Sequence, residues 1–369
     1  MSEISQTRAV AAQSLPGEED LRFIRNFHDV FLSLGIAMFT AGLGIATVMI
    51  LEPIVKETAS AGAGAFRQTL TTISGAAGVD AVVMWLMGEF FARGRRLFLP
   101  SIVILLGFTA FASVAAGAGY GAVLGLDEGF FERLDGGGIA EIVRQSSRYF
   151  IVVLSLVTAA IFAFYLRMKL PFAMGMFGYS LASVGVAGLF YLQPDKAQQL
   201  IEPAQLAAGV FIFLLGVYFD ARDPERKTRI SDNGFWLHFF AAPLILNSAL
   251  GLTVGQNMIL SKSSSAAVVT LIVVFVFAFI SLLINRRALL VAGLLYALIA
   301  AGFLISKVGL SGGWTAATTL LLMGGAMVLL GGGWHALRRI VVAPFPKEGL
   351  IARIIPPEPS KEERRRVSE

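Results

Sequence analysis

Ten stretches of almost wholly apolar residues recur along this 369-residue chain, and their length constrains the fold more than any other feature. A hydrocarbon core takes about 20 residues of α-helix to cross, so apolar runs of roughly 18 or more read as spanning helices. They fall at residues 30–51, 70–92, 99–124, 149–166, 171–192, 204–219, 236–254, 266–284, 288–305 and 313–334. The run at 204–219 is the shortest and ends at Asp220, and the run at 70–92 carries Asp80 and Glu89. Only 15% of residues are charged, against roughly 25% in a soluble domain. A mean hydropathy of +0.73 is more apolar surface than one water-soluble core hides. The expected class is all-α: a polytopic transmembrane bundle of about ten helices with both termini cytoplasmic.

The basic residues fix that orientation. With the N-terminus inside, the cytoplasmic segments hold Arg8, Arg22 and Arg25; Arg93, Arg95 and Arg96; Arg167 and Lys169; Arg222, Arg226, Lys227 and Arg229; Arg286 and Arg287; and the eight from Arg338 to Arg366. These are 22 of the 30 Lys and Arg, and the outer side keeps Lys56, Arg67, Arg133, Arg144, Arg148, Lys196, Lys262 and Lys307. Losing one helix would invert every later loop and destroy the alternation, so an even number of spans fits the positive-inside rule. Trp236 and Trp334 fall at inner ends and Trp314 at an outer end, where indole rings prefer to sit, whereas Trp85 lies deeper. Distributed between apolar runs in this way, the net charge of +5 is a topology signal and gives no nucleic-acid footprint.

Three regions follow. Residues 1–29 are a cytoplasmic N-terminal segment, partly disordered and without a cleavable signal, in which Leu21, Phe23, Ile24 and Phe27 alternate with arginines as in an interfacial stretch. Residues 30–335 form the transmembrane helical domain. Residues 336–369 are a basic, Pro-rich cytoplasmic tail, read as largely disordered, whose charge draws it to anionic lipid headgroups. The partners expected are the bilayer, anionic lipid near the basic turns, and a second copy or another membrane protein.

Among intramembrane polar residues Asp80 stands out, because a carboxylate at mid-depth costs about 2.5–3.5 kcal/mol unless protein or water answers it. It reads as a proton- or cation-binding group, as a protonated structural acid, or as an interfacial residue of a helix that starts later. Asn247, Tyr179, Ser183 and Tyr296 are the other candidates for an intramembrane polar site. Pro243 leaves the Phe239 carbonyl without its helical donor and is a candidate kink. Glu89 precedes Arg93 by four residues, the spacing of a helical ion pair. His238, Asp220 and Glu89 are the candidate polar groups of the cytoplasmic face, with His238 expected at a solvated interface and Asp220 on a solvated turn. Frequent glycines, such as Gly42, Gly44, Gly119, Gly324 and Gly325, predict close helix packing.

Enzyme signatures are sparse. Three histidines and no cysteine rule out thiol chemistry, disulfides and cysteine metal sites, and no phosphate-binding loop or nucleophile elbow occurs. No metal and no cofactor is expected.

The runs Arg95-Arg96-Leu97-Phe98-Leu99-Pro100-Ser101, residues 235–243, Asn285-Arg286-Arg287-Ala288-Leu289-Leu290-Val291 and Gly333-Trp334-His335-Ala336-Leu337-Arg338-Arg339 resemble uncharacterised multi-spanning inner-membrane proteins of proteobacteria. The resemblance implies a bacterial inner-membrane location and carries no activity or catalytic residues. Three functions remain open. The first is transport or flippase-like movement of a small or amphiphilic substrate. The second is a structural, assembly or sensing role without a substrate path. The third is an intramembrane enzyme, with polar groups gathered around Asp220 and His238.

Overall fold

A computed structural model describes residues 27–59, 63–125, 139–223, 229–254, 263–346 and 348–357. The described residues hold ten helices long and apolar enough to cross a membrane, and no strand. The chain is an integral membrane protein of helical class. The spans lie on α1 (Phe27–Ala59), α2 (Ala63–Gly88), α3 (Phe98–Leu124), α4 (Ile139–Met168), α5 (Pro171–Leu192), α6 (Ala197–Arg222), α7 (Arg229–Val254), α8 (Ser264–Ile284), α9 (Ala288–Ser306) and α10 (Gly312–Gly332). Two shorter helices follow, α11 (Trp334–Val342) and α12 (Leu350–Ile354). The interfacial stretch expected at residues 21–26 and the last part of the tail, 358–369, lie outside the described residues.

Several helices are longer than their apolar runs. α6 starts at Ala197 rather than near 204, because Gln198, Gln199 and Glu202 are too polar for lipid yet Gln and Glu are both good helix formers. α4 likewise starts at Ile139, ahead of its apolar run at 149–166.

The described residues form two compact units, 27–208 and 209–357. In the first, α3 packs against α1, α2 and α4, and α4 pairs with α5. Lipid supplies no hydrophobic drive for helix association, so backbone approach and packing must hold the helices. Gly107 of α3 shows how: a Cβ there would lie 2.7 Å from Thr40 Cγ2 of α1 and 2.8 Å from Met84 Cε of α2. Trp85 finds its place here, edge-on to Phe164 at 5.8 Å and tilted against Phe108 at 5.6 Å, with Phe164 fully buried. The Tyr149 hydroxyl donates to the Gly117 carbonyl at 2.7 Å and ties α4 to α3. By contrast nothing lies within 4 Å of a Cβ added at Gly42, Gly324 or Gly325, so those glycines do not mark close packing among the described residues.

Two turns in this unit repeat one device. Arg96 and Lys169 both take the left-handed conformation, with φ of 55° and 53°. Each is followed by an extended leucine, Leu97 or Leu170, at the head of the next helix. The two basic, proline-bearing turns thus share one backbone conformation.

In the second unit Ala242, Leu246, Phe277, Ile284 and Leu289 form a core across α7, α8 and α9. Gly209 lets α6 approach α7, its absent Cβ lying 2.8 Å from Ile245 Cγ1. After α10 the chain departs from the irregular tail that its composition suggests. In α11, Trp334, Arg338 and Val342 are buried at i, i+4 and i+8, one face of a helix. Trp334 Nε1 donates to Asn285 Oδ1 at 3.0 Å, Arg338 Nε donates to the Leu282 carbonyl at 3.1 Å, and Arg338 Nη2 donates to the Pro356 carbonyl. A buried guanidinium that binds two carbonyls is hard to replace. Arg338→Leu is therefore expected to free the segment 343–357 for protease cleavage, whereas deletion of 358–369 leaves the cleavage pattern unchanged. Equal protection in Arg338→Leu and the parent would contradict this docking.

Candidate functional site

The buried carboxylates Asp80 and Asp220 are answered in opposite ways. Asp80 lies midway along the span Gly64–Gly94 of the first unit and is 4% exposed. Thr47 of α1 donates its hydroxyl to Asp80 Oδ2 at 2.8 Å. Among the described residues Thr47 is the one hydrogen-bonding or ionic partner of Asp80. The sequence singled out Asp80 and not Thr47, since a threonine thirty-three residues away on the preceding helix carries no signal of its own.

Asp220, in the second unit, meets a full set of partners. It sits near the end of α6, 7% exposed, against the start of α7 and the turn between α8 and α9. From that turn Arg286, 2% exposed, donates through Nε to Asp220 Oδ2 at 3.0 Å and through Nη2 to Oδ1. This two-pronged contact is the arrangement the guanidinium plane favours. Arg286 Nη2 also donates to the Ser231 hydroxyl at 2.9 Å and the Ser231 carbonyl at 3.1 Å. His238 of α7, fully buried, lies 3.0 Å through Nε2 from Asp220 Oδ2. A carboxylate bound to a guanidinium accepts and cannot donate, so Nε2 carries the hydrogen. Nδ1 then has no partner among the described residues.

Glycine makes room for both groups. A Cβ at Gly216 would fall 2.9–3.1 Å from three atoms of the His238 ring, and one at Gly234 would fall 2.2 Å from Asp220 Oδ1. Phe213 covers the His238 ring at 4.9 Å between centroids. Hence neither Asp220 nor His238 is the solvated group that its position at a helix end suggests.

Glu89 is a surface counterpart. The chain widens into a π-turn at Glu89–Gly94, where Arg93 Nη1 donates to Glu89 Oε2 at 3.2 Å, the pair the spacing predicts. Arg167 Nε, from the end of α4, donates to Oε1 at 2.5 Å. Both arginine side chains are about half exposed, so water and salt screen each pair.

The other candidates do not join Asp80. Ser183 donates back to the Tyr179 carbonyl of its own helix at 3.0 Å, the usual habit of a helical serine. The Tyr179 side chain is 41% exposed. Asn247 and Pro243 face outward from α7, which runs through Pro243 as one helix. Tyr296 packs against the Ala242–Leu246 core of its unit. Of the residues the sequence nominated, the structure brings together Asp220 and His238, and it adds Arg286, Ser231 and Thr47.

Neither family models, nor curated proteins, nor solved structures give a match to this chain.

Proposed function

We propose that the chain is a bacterial inner-membrane protein of transport or flippase type, moving a small or amphiphilic substrate, in which Asp80 takes up and releases a proton or binds a small cation. The observation that supports this is the solitary state of Asp80. A carboxyl at mid-depth that a single hydroxyl answers leaves a place for a proton or cation, whereas the guanidinium of Arg286 already fills that place at Asp220. Intramembrane acids of the first kind mark ion and proton paths. The sparse polar residues at mid-depth suit an amphiphilic or small substrate better than a sugar, which needs many hydrogen bonds. Infrared spectroscopy tests the reading without knowledge of the substrate. The carboxylic-acid carbonyl band that Asp80→Asn removes should shift in D2O and change intensity with pH or added cation. A band indifferent to all three would favour a structural or assembly role, with Asp80 a static acid.

Both termini are cytoplasmic in this proposal. Reporter fusions after Arg96, Arg229, Arg287 and Arg353 should read cytoplasm, and fusions within residues 126–148 or near Lys262 the outer side, following the 22-to-8 split of basic residues. An outer-side signal after Arg229 would refute the map.

A further inference from the structure

Two basic turns of the first unit meet at one end of its helices. One joins α2 to α3 and carries Arg93, Arg95 and Arg96; the other joins α4 to α5 and carries Arg167 and Lys169. All five residues are exposed. Glu89 bridges the turns, since it accepts from Arg93 at 3.2 Å and from Arg167 at 2.5 Å. Gly88 lets the helices close up behind that bridge: a Cβ there would lie 3.0 Å from Phe164 Cε2 and 3.2 Å from Met168 Cε, both on α4. Positive charge remains in excess. Among the described residues no ion pair holds Arg95, Arg96 or Lys169. Arg95 and Lys169 instead rest on rings of their own turns, 5.1 Å over Phe90 and 5.8 Å over Tyr165. Asp29, in the first turn of α1, is the other described acid at this end of the unit, and it pairs with none of the five.

Position decides what this surface meets. The five cations lie at the ends of spanning helices, where hydrocarbon gives way to headgroups, and Phe90 and Leu166 beside them are exposed and apolar. The two turns also share a backbone: left-handed Arg96 or Lys169, an extended leucine, then a helix without a side-chain cap. Each turn therefore sets exposed cations beside the positive end of a helix. Phosphate is the anion that matches, because a guanidinium binds two of its oxygens at once and an ammonium binds it as a point charge. We propose that the two turns form one site for an anionic phospholipid, each turn taking one phosphate of a two-phosphate headgroup. Soluble phosphate meets the same cations screened by water and salt, whereas a lipid brings its phosphate to this depth already concentrated in the bilayer. The inference goes beyond the reading of Asp80, shares no residue with it, and holds whether or not Asp80 exchanges an ion.

The test uses the full chain, stripped of lipid in a neutral detergent, with lipid adducts counted by native mass spectrometry. The probes share their acyl chains: diphosphatidylglycerol, phosphatidylglycerol and phosphatidylcholine, with pyrophosphate as the soluble counterpart. The parent should bind one diphosphatidylglycerol about tenfold more tightly than phosphatidylglycerol, because the second phosphate binds within an already formed complex. Phosphatidylcholine should bind least, and equimolar pyrophosphate should not displace the lipid. A basic residue beside anionic lipid is worth about fivefold in affinity, so Lys169→Gln should weaken the first adduct about fivefold and the pair Arg95→Gln with Arg96→Gln more. Either change should also abolish the preference for two phosphates over one. Arg95→Lys with Arg96→Lys, and Lys169→Arg, keep the charge and should retain that preference. The substituted side chains are exposed and outside any ion pair, so the variants should keep the parent's unfolding midpoint. Arg222→Gln is the control, since it removes an exposed cation 4.4 Å over Tyr218 in the other unit, and it should leave the first adduct unchanged. Equal losses in Arg222→Gln and Lys169→Gln would mean that lipid senses overall charge alone, and would overturn the site. So would displacement by pyrophosphate, equal affinity for phosphatidylcholine, or a two-phosphate preference that survives the loss of either turn's cations.

Discussion

Arg286→Leu is expected to destabilise the second unit by about 3–5 kcal/mol, because it strands the Asp220 carboxylate in the protein interior with only His238 to answer it. The size of the effect comes from the uncompensated charge and not from the worth of the pair. Adding Asp220→Asn to Arg286→Leu removes the stranded charge and should recover much of the loss, although the double variant has one ionic contact fewer. Thermal unfolding in detergent, followed by helical signal, reads both. An unchanged midpoint in Arg286→Leu would mean that water reaches Asp220. A double variant less stable than the single would mean that the Asp220 carboxylate is favourable even without Arg286, held by His238, and would contradict the stranded-charge account.

Gly234→Ala comes next in size. Its added methyl would sit 2.2 Å from Asp220 Oδ1, closer than any real contact, with the Gly216 carbonyl 3.2 Å away on the same side. One of the two helices must move, or Asp220 must swing off Arg286. Overpacking of a tight core costs about 1–3 kcal/mol, and here the broken ion pair adds to it. Gly324→Ala, where a Cβ meets nothing within 4 Å, is the matched control and should be neutral. The comparison is made by the fraction of protein that stays monodisperse after heating. Equal survival of Gly234→Ala and Gly324→Ala would show that the α6–α7 approach is looser than its geometry.

The sequence reveals the ten spans because hydropathy summed over a bilayer's width is a strong signal, little disturbed by one Asp80 or Glu89. It reveals where elements end less well. The polar first turns of α6 and the one-sided face of α11 stay helical for reasons of propensity and packing that a hydropathy window averages away. The Glu89–Arg93 pair can be read from its spacing, and the contribution of Arg167 cannot, because that residue comes from another helix. At the Asp220 site the sequence nominates Asp220 and His238 but misses Ser231 and Arg286. Asp220, Ser231, His238 and Arg286 each look like an ordinary residue at a helix end, and the site exists only once 66 residues of chain bring Arg286 back to Asp220. A signal was nevertheless present. In the topology that the basic residues dictate, the end of helix six, the start of helix seven and the end of helix eight share one side. Asp80 is the converse case: its burial follows from its place in the run, but whether a partner neutralises it does not.

That last question decides between a transporter and a static scaffold, and the absence of native cysteine makes it directly accessible. Asp80→Cys in sealed membrane vesicles, challenged with a membrane-impermeant thiol reagent from either face, reports whether water reaches this depth. The transport reading predicts labelling from at least one side, faster than a cysteine placed at buried Leu105 of the neighbouring α3. Complete protection from both faces, together with an infrared band that ignores pH, cation and D2O, would contradict it.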